Sequence, residues 1–197
     1  VVLGFPDTYE IGISNQALQI LYHLAGQAGD VEVERTYLPW VDVLAEMRSV
    51  GVPLLTLETW SPVAQADVLA LTLQHEFNYT NVLEMLDVAR LPLRAKDRGP
   101  GHPLVVGGGP ATANFAPVAP FFDALVVGDG EDVFPEMLLL LAAAKREGLD
   151  RDRVRGLLAG IEGVYVPGVS TMVVRRVATR LEGAPYPSSC LVPLTSG

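Results

Sequence analysis

The sequence predicts a doubly wound α/β domain with a mostly parallel sheet. Five strand-like segments alternate along the chain with segments whose apolar residues recur at helical spacing. The first, residues 1–5, is a continuous apolar run ended by Pro6 and Asp7, as expected of a buried parallel strand. Strands that alternate with helices favour a parallel sheet with helices on both faces.

The number of strand–helix units narrows the expected topology. Five units most resemble the flavodoxin-like order, in which the strands lie 2-1-3-4-5 across the sheet. We therefore expect a five-stranded sheet followed by a small C-terminal appendage. The predicted strands are residues 1–5, 31–37, 68–73, 103–106 and 123–127.

Capping residues place the first two helices. Ser14 and Asn15 are suitable N-caps for a helix that Gly29 ends. The next helix is predicted over residues 41–50, because Gly51 follows it and glycine commonly ends helices. Residues 54–57 fit neither a helix nor a strand clearly.

Polar or charged residues mark the predicted ends of two later helices. Asn81 and Glu84 have the spacing of a capping box, which predicts that a helix begins there. The last long helix has acidic residues in its first turn and basic residues in its last, an order that suits the helix dipole. These charged residues are Glu131, Asp132, Lys145 and Arg146.

The pattern changes after residue 148, and this change sets the expected domain organisation. A short helix is expected over residues 151–158, followed by two short strands that could form a hairpin on the sheet edge. Both ends of the chain resemble cut ends, and a Gly/Pro/Ser-rich stretch near the second is typical of a linker. We expect a Rossmann-type domain over 1–148, a packed appendage over 149–182 and a linker over 183–197.

Composition excludes several classes of protein. Apolar residues make up 49% of the 197 residues, which excludes general disorder. No apolar run approaches the roughly 20 residues that a membrane-spanning helix needs. The net charge of −9 argues against nucleic acid as a partner. The single cysteine, Cys190, cannot supply an iron–sulfur cluster, and its isolation suits a reducing cytoplasm, which is the expected location.

Two glycine-rich loops follow neighbouring predicted strands. One is Gly107-Gly108-Gly109-Pro110 after the fourth strand, and the other is Gly128-Asp129-Gly130-Glu131 after the fifth. Glycine lets a bulky ligand approach the backbone closely, because no Cβ intervenes. Ligands of open parallel sheets bind beyond the carboxyl ends of the strands. The pair of loops therefore predicts a ligand groove at that edge, although each loop alone could be a simple turn.

Familiar catalytic and nucleotide motifs are missing. The glycine loops lack the third glycine of a dinucleotide fingerprint, and both follow late strands. His23, His75 and His102 stand apart without the cysteine or carboxylate spacing of a metal site. We predict no catalytic residue and no metal ligand in this chain.

Four stretches resemble a known family when taken together. They are residues 5–15 (FPDTYEIGISN), 73–81 (LQHEFNYTN), 105–110 (VVGGGP) and 127–131 (VGDGE). In these stretches the chain is similar to the N-terminal cobalamin-binding-like domain of radical S-adenosylmethionine (SAM) proteins, often labelled Fe–S oxidoreductases. The resemblance spans residues 1–141, and residues 163–167 (GVYVP) are similar to the segment that follows.

The resemblance implies a corrinoid across the carboxyl ends of the strands. Its tail would lie between the sheet and the last helices. The [4Fe–4S] cluster and S-adenosylmethionine would belong to a radical SAM core that follows residue 197 and would be the partner of this domain. The implied cofactor-binding residues are Thr72, Gln74, Gly107, Gly108, Gly109, Pro110, Ala111, Gly128, Asp129, Gly130 and Glu131.

The sequence leaves alternative functions open. Corrinoid proteins that ligate cobalt through histidine carry Asp-x-His-x-x-Gly in the first loop, and no histidine here has that context. Asp7, Tyr9 and Glu10 occupy that loop, so the domain either binds a corrinoid without histidine or keeps the fold as a scaffold. A free-standing module that binds a flavin or nucleotide is the alternative, and a purely structural interaction domain is the third.

Overall fold

One mixed sheet organises the chain. The computed structural model describes residues 1–29 and 31–178. The strands of the sheet are β1 (Val2–Phe5), β2 (Glu34–Tyr37), β3 (Val68–Thr72), β4 (Leu104–Gly108), β5 (Ala124–Val126) and β6 (Val164–Tyr165). Their order is β2-β1-β3-β4-β5-β6; the pairs among β1–β5 are parallel, whereas β6 is antiparallel to β5. The α/β prediction is confirmed, but the five-stranded sheet is corrected to six strands because part of the appendage joins its edge.

Helices cover both faces of this sheet. They are α1 (Tyr9–Gly12), α2 (Gln16–Gly26), α3 (Val41–Val50), α4 (Asn78–Val88), α5 (Gly130–Arg146) and α6 (Arg151–Leu158). Buried residues of α2, α5 and α6 join one hydrophobic cluster with one face of the strands. Buried residues of α3 and α4 join a second cluster with the opposite face. Among the described residues, none of the helices has the length and apolar character needed to cross a bilayer.

Several helix ends follow the predicted signals. The Asn15 side chain accepts a hydrogen bond of 3.0 Å from the Leu18 amide, so it caps α2 as expected. Gly51 adopts φ 72° and ends α3 at the predicted residue. The acidic first turn and basic last turn of α5 are also as predicted.

The predicted start of α4 is wrong. The helix begins at Asn78, and Asn81 lies within it. The Asn78 carboxamide oxygen accepts from the amides of Gln74 and His75, at 3.2 and 3.3 Å. Asn81 instead donates from Nδ2 to the Pro6 carbonyl at 2.9 Å. Its side chain therefore forms a tertiary contact rather than a capping box.

The predicted terminal hairpin is also wrong. Residues 172–177 are not a strand paired with β6. Arg176 instead forms an isolated parallel bridge with Gly128, just beyond the end of β5. The Arg176 amide donates to the Val127 carbonyl, and the Asp129 amide donates to the Arg176 carbonyl, both at 3.0 Å. Residues 172–178, called the strap below, thus cross the carboxyl end of β5.

A buried ion-pair cluster fixes the start of β5. Asp123 is fully buried, and its carboxylate accepts hydrogen bonds from Arg98, Arg151 and the Val105 amide at 2.8–3.0 Å. Burial lowers the pKa of the Arg98 guanidinium, whereas the Asp123 charge raises it. The cluster joins β4, β5 and the start of α6, so its charges are satisfied inside the fold.

A short hairpin protects the exposed edge of β2. Residues 54–57, which the sequence left ambiguous, form its first arm, and Leu55 pairs with Pro62 in an antiparallel bridge. The Leu57 amide donates to the Arg35 carbonyl at 2.7 Å, and Arg35 pairs with Glu58 at 2.7 Å. A sheet edge covered in this way cannot pair with another chain.

Candidate ligand-binding site

A cavity of about 510 Å³ opens at the carboxyl edge of the sheet. Its floor is formed by the ends of β3, β4 and β5, and its walls by α2 and α5. This is the edge where ligands of open α/β sheets bind. Ten of the eleven predicted cofactor-binding residues line it: Thr72, Gln74, Gly107, Gly108, Gly109, Pro110, Gly128, Asp129, Gly130 and Glu131.

Two polar side chains on the floor have buried atoms without a partner. Thr72 Oγ1 and Gln74 Nε2 are inaccessible to solvent and form no hydrogen bond with the part of the chain that the structure describes. Leaving a buried polar group unpaired costs about 1–3 kcal/mol. Such atoms in the floor of a cavity are therefore what a site for a polar ligand would present.

The first glycine loop has one member that the fold does not require. A Cβ on Gly108 would have its nearest neighbour at 3.7 Å, the Cβ of Val126, which is ordinary contact. Gly108 lies opposite Thr72 in the register of β3 and β4. The absent side chain of Gly108 thus leaves space opposite Thr72 in the register.

Packing explains the other two glycines of this loop. A Cβ on Gly107 would lie 2.8 Å from the side chains of Leu125 and Phe122, in the cluster on the opposite face. Gly109 has φ 113°, and its Cβ would lie 2.6 Å from the Leu73 carbonyl oxygen. Both glycines line the cavity, but the turn and the core already account for them.

Ala111 lies outside the cavity. It is 5% exposed and belongs to the hydrophobic cluster on the α4 face. Its amide donates to the Leu73 carbonyl at 3.0 Å, and its carbonyl accepts from the Tyr79 hydroxyl at 2.9 Å. Burial raises the pKa of Tyr79. The role of Ala111 is therefore to fix the loop after β4 against α4.

The second glycine loop is tied to the strap. Gly128 has φ 124°, and a Cβ there would overlap the Arg176 carbonyl oxygen. The Asp129 carboxylate accepts from the Ala178 amide at 2.8 Å. Gly130 begins α5, and Glu131 follows in its first turn. The loop therefore joins the cavity to the strap.

Arg175 on the strap also lines the cavity, and the sequence did not indicate it. One of its terminal nitrogens lies 3.9 Å from Asp129 Oδ1, and its side chain is 71% exposed. The sequence signal was obscured because residues 172–177 resemble an ordinary strand. The bridge to Gly128 is a tertiary pairing that no local pattern reveals.

Apolar helix residues complete the walls. Ala17, Ile20 and Leu21 of α2 and Phe134 and Met137 of α5 line the cavity. Apolar residues at helical spacing mark the inward face of a helix, but such spacing does not separate a packed residue from a cavity wall. Binding pockets are commonly apolar with a few placed polar groups, and this cavity has that composition.

Asparagines hold the loops after β1 and β3 together. Asn78, which is 2% exposed, and Asn81 both donate to the Pro6 carbonyl, at 3.3 and 2.9 Å. In the first loop, Tyr9 packs edge-on against Tyr37 with ring centroids 5.3 Å apart. The side chains of this loop do not line the cavity, so they leave its floor open.

A larger cavity of about 1140 Å³ lies at the opposite, amino edge of the sheet. Its lining includes Lys145 and Asp67, which pair with each other at 2.7 Å. Neither Thr72 Oγ1 nor Gln74 Nε2 reaches it. We therefore assign the candidate site to the smaller cavity at the carboxyl edge.

Cofactor ligands can be compared with this geometry. No histidine lines the carboxyl-edge cavity within the described part of the chain. Nor do residues 1–29 and 31–178 contain three or more His, Cys, Asp or Glu side chains grouped to hold a metal ion. The cavity thus offers hydrogen-bonding and apolar contacts.

Comparisons with known proteins agree with this architecture. An uncharacterized protein of Methanocaldococcus jannaschii is 26% identical over 140 residues, which are 70% of this chain and 26% of that protein. A structure of the radical SAM methyltransferase TsrM from Kitasatospora setae, with cobalamin and a [4Fe-4S] cluster bound, matches with TM-score 0.53 and 22% identity. This match covers 96% of the chain and 31% of TsrM, and it shows a shared fold.

A second TsrM structure, with tryptophan substrate and the SAM analog aza-SAM bound, matches with TM-score 0.48 and 24% identity over 84% of this chain and 28% of that chain. The chain thus spans less than a third of the length of each of these proteins. Residues 17–167 match the family described as radical SAM proteins, N-terminal. The chain belongs to the N-terminal domain family of radical SAM proteins, with a cobalamin-binding-like fold.

Proposed function

We propose that this chain is the accessory domain of a radical SAM protein and that its carboxyl-edge cavity binds the tail of a corrinoid. The observation that carries the proposal is that Thr72 and Gln74, whose buried Oγ1 and Nε2 atoms have no partner among the described residues, line this cavity together with Gly108. A cavity of about 510 Å³ has the volume that holds a drug-sized group, so it would accommodate the tail.

The side chains that line the cavity are of the types that such a tail would need. Thr72 and Gln74 would hydrogen-bond to its polar atoms, and the walls of α2 and α5 would cover its apolar ring. The corrinoid would supply a reactive cobalt centre at the open edge. Since no histidine has the Asp-x-His-x-x-Gly context of the corrinoid proteins that ligate cobalt through histidine, binding would not use such a ligand.

The iron–sulfur chemistry belongs elsewhere in this proposal. One cysteine in 197 residues cannot provide the three thiolates of a radical SAM cluster. The [4Fe–4S] cluster and S-adenosylmethionine would therefore bind in the remainder of the protein. This chain would present the corrinoid to that remainder and would not itself be catalytic.

A visible-absorbance titration of the purified protein with hydroxocobalamin tests the proposal. We expect a saturable spectral shift that Gly108→Leu abolishes, because a leucine there would fill the space beside Thr72. Gly156→Leu is the matched control, since Gly156 is exposed on α6 and a Cβ there would meet no atom within 4 Å.

The same titration separates the alternatives. A shift with flavin mononucleotide and none with hydroxocobalamin would replace the corrinoid with a flavin. No shift with either compound would assign the domain a scaffold role. A corrinoid shift that survives Gly108→Leu would place the binding site away from this cavity.

A further inference from the structure

Thr72 and Gln74 reach the carboxyl-edge cavity from alternate positions of one segment. Leu73, which lies between them, is fully buried in the hydrophobic cluster on the opposite face. Side chains two positions apart on an extended chain share a face, so both polar groups line the same cavity. The backbone of Gln74 is held in place, because its amide donates to the Asn78 carboxamide oxygen at 3.2 Å.

The two side chains differ in what they need from a ligand. Gln74 Nε2 carries N–H donors and no acceptor, whereas the Thr72 hydroxyl both donates and accepts. Neither atom has a partner within the described part of the chain. A ligand that pairs with both must offer an acceptor to Gln74 and a further polar atom to Thr72. A ring with several polar atoms along its edge meets this need, whereas a ring with a single polar atom does not.

The walls of the cavity suit a flat ring. Phe134 and Met137 of α5 line one wall and are 6% and 1% exposed, and Ile20 and Leu21 line the wall formed by α2. Aromatic rings pack favourably against phenylalanine and methionine side chains. These apolar contacts are available to any planar base. The choice between bases therefore depends on the polar atoms of the floor.

The bases that end corrinoid tails differ in their polar edges. Dimethylbenzimidazole, the base of cobalamin, has a single free ring nitrogen and no N–H donor. Adenine has an amino group beside a ring nitrogen, and a carboxamide pairs with these two neighbours at once, as glutamine does when it reads adenine in DNA. Adenine has further ring nitrogens, so one of them would accept a hydrogen bond from the Thr72 hydroxyl. Adenine therefore satisfies both floor residues, whereas dimethylbenzimidazole leaves at least one of them unpaired.

We infer that the carboxyl-edge cavity is specific for adenine and that the corrinoid bound by this chain carries adenine at the end of its tail. Gln74 is then the residue that determines specificity, and Thr72 provides a second contact. The inference rests on the proposed function and deepens it by naming the base of the ligand. Adenine also occurs in free nucleotides, so the experiment includes a nucleotide as the other source of this base.

Equilibrium dialysis of the purified protein against two corrinoids tests the inference. The corrinoids are adeninylcobamide, whose tail base is adenine, and hydroxocobalamin, and the absorbance of each corrinoid reports the bound fraction. A bidentate pair between a carboxamide and adenine discriminates against the wrong base by roughly 5- to 100-fold in affinity. We therefore expect adeninylcobamide to bind at least about fivefold more tightly than hydroxocobalamin.

Gln74→Met removes the carboxamide and nearly keeps the length of the side chain. We expect it to weaken adeninylcobamide binding about tenfold, because the paired hydrogen bonds are lost. Hydroxocobalamin should bind this variant as tightly as before or more tightly, since no unpaired donor remains, and its retained binding shows that the variant is folded. Gln65→Met is the matched control, because Gln65 is exposed and lines the amino-edge cavity. This control should keep the preference for adeninylcobamide.

Other outcomes separate the inference from the proposed function. Equal affinity for the two corrinoids, or tighter binding of hydroxocobalamin, would overturn adenine specificity and leave corrinoid binding standing. A preference that persists in Gln74→Met would also overturn it, because the difference would then come from the free corrinoids, in which dimethylbenzimidazole must first leave cobalt. Binding of adenosine monophosphate that Gln74→Met abolishes, with no binding of either corrinoid, would uphold adenine recognition and refute the corrinoid. Binding of none of the three compounds would refute both.

Discussion

Thr72 of β3 and Gly108 of β4 are register partners, and both residues line the carboxyl-edge cavity. Side chains at alternate positions of a strand share a face. Ala70 and Thr72 therefore lie on the same face as Val106 and Gly108, and this face is covered by α2 and α5. The pair therefore brings a residue with an unpaired hydroxyl and a glycine with room for a side chain to the same face of the sheet.

Replacing Thr72 by valine separates its role in binding from its role in the fold. Thr72→Val removes a hydroxyl that has no partner among the described residues, so the free energy of unfolding should rise by about 1 kcal/mol. Corrinoid affinity should fall, because the hydrogen bond to the tail is lost. Urea unfolding and the hydroxocobalamin titration measure the two effects.

Thr36→Val is the matched control for that substitution. Thr36 is 1% exposed on β2, and its hydroxyl donates to the Leu55 carbonyl at 2.9 Å. Its loss should lower the free energy of unfolding by about 0.5–1.5 kcal/mol, the net contribution of a typical hydrogen bond, because the part-buried Leu55 carbonyl loses its partner. Equal destabilisation by the two variants would show that Thr72 has a partner in the protein.

Local signals account for what the sequence predicted correctly. Four such signals appear in the structure, and each depends on residues only a few positions apart. They are the apolar runs of the strands, the Asn15 cap of α2, the end of α3 at Gly51 and the order of charges along α5. The two glycine loops were also predicted to meet, because consecutive parallel strands end at one edge.

Long-range contacts account for what the sequence missed. Asn81 matches a capping box, yet its side chain binds Pro6, which is 75 residues away. Three consecutive glycines looked equivalent, but the packing of Phe122 and the position of Leu73 give Gly107 and Gly109 structural roles. Only the register of β4 shows that Gly108 is the member facing open space.

Asn78 should control the order of the loop after β3. Asn78→Ala removes the acceptor for the amides of Gln74 and His75, so both amides should exchange hydrogen faster. Hydrogen exchange followed by mass spectrometry measures this change. Asn81→Ala is the control, because it removes only a bond to Pro6 and should leave these two amides protected. Unchanged exchange in Asn78→Ala would show that α4 packing alone orders the loop.

The Asp123 cluster should be the ion-pair site on which stability depends most. Asp123→Asn leaves Arg98 buried without its counter-charge, which should lower the free energy of unfolding by about 3–5 kcal/mol. Asp67→Asn removes the exposed pair with Lys145 and should cost about 0–1 kcal/mol. Urea unfolding compares the two variants, and similar losses would contradict a special role for burial.

Tyr37 should make the fold sensitive to alkaline pH. Burial, the largest cause, raises the pKa of its phenol above the ordinary value of about 10. Above pH about 10 the folded protein therefore keeps a proton that the unfolded chain releases. The stability that Tyr37 contributes is complete below that pH and is lost as pH rises through the folded-state pKa. Tyr37→Phe should weaken the fall in the free energy of unfolding above that pH. It should change stability little at pH 7, because the Tyr37 hydroxyl has no partner among the described residues. Urea unfolding at several alkaline pH values measures the slope, and an identical slope in both proteins would show that Tyr37 ionises without opening the fold.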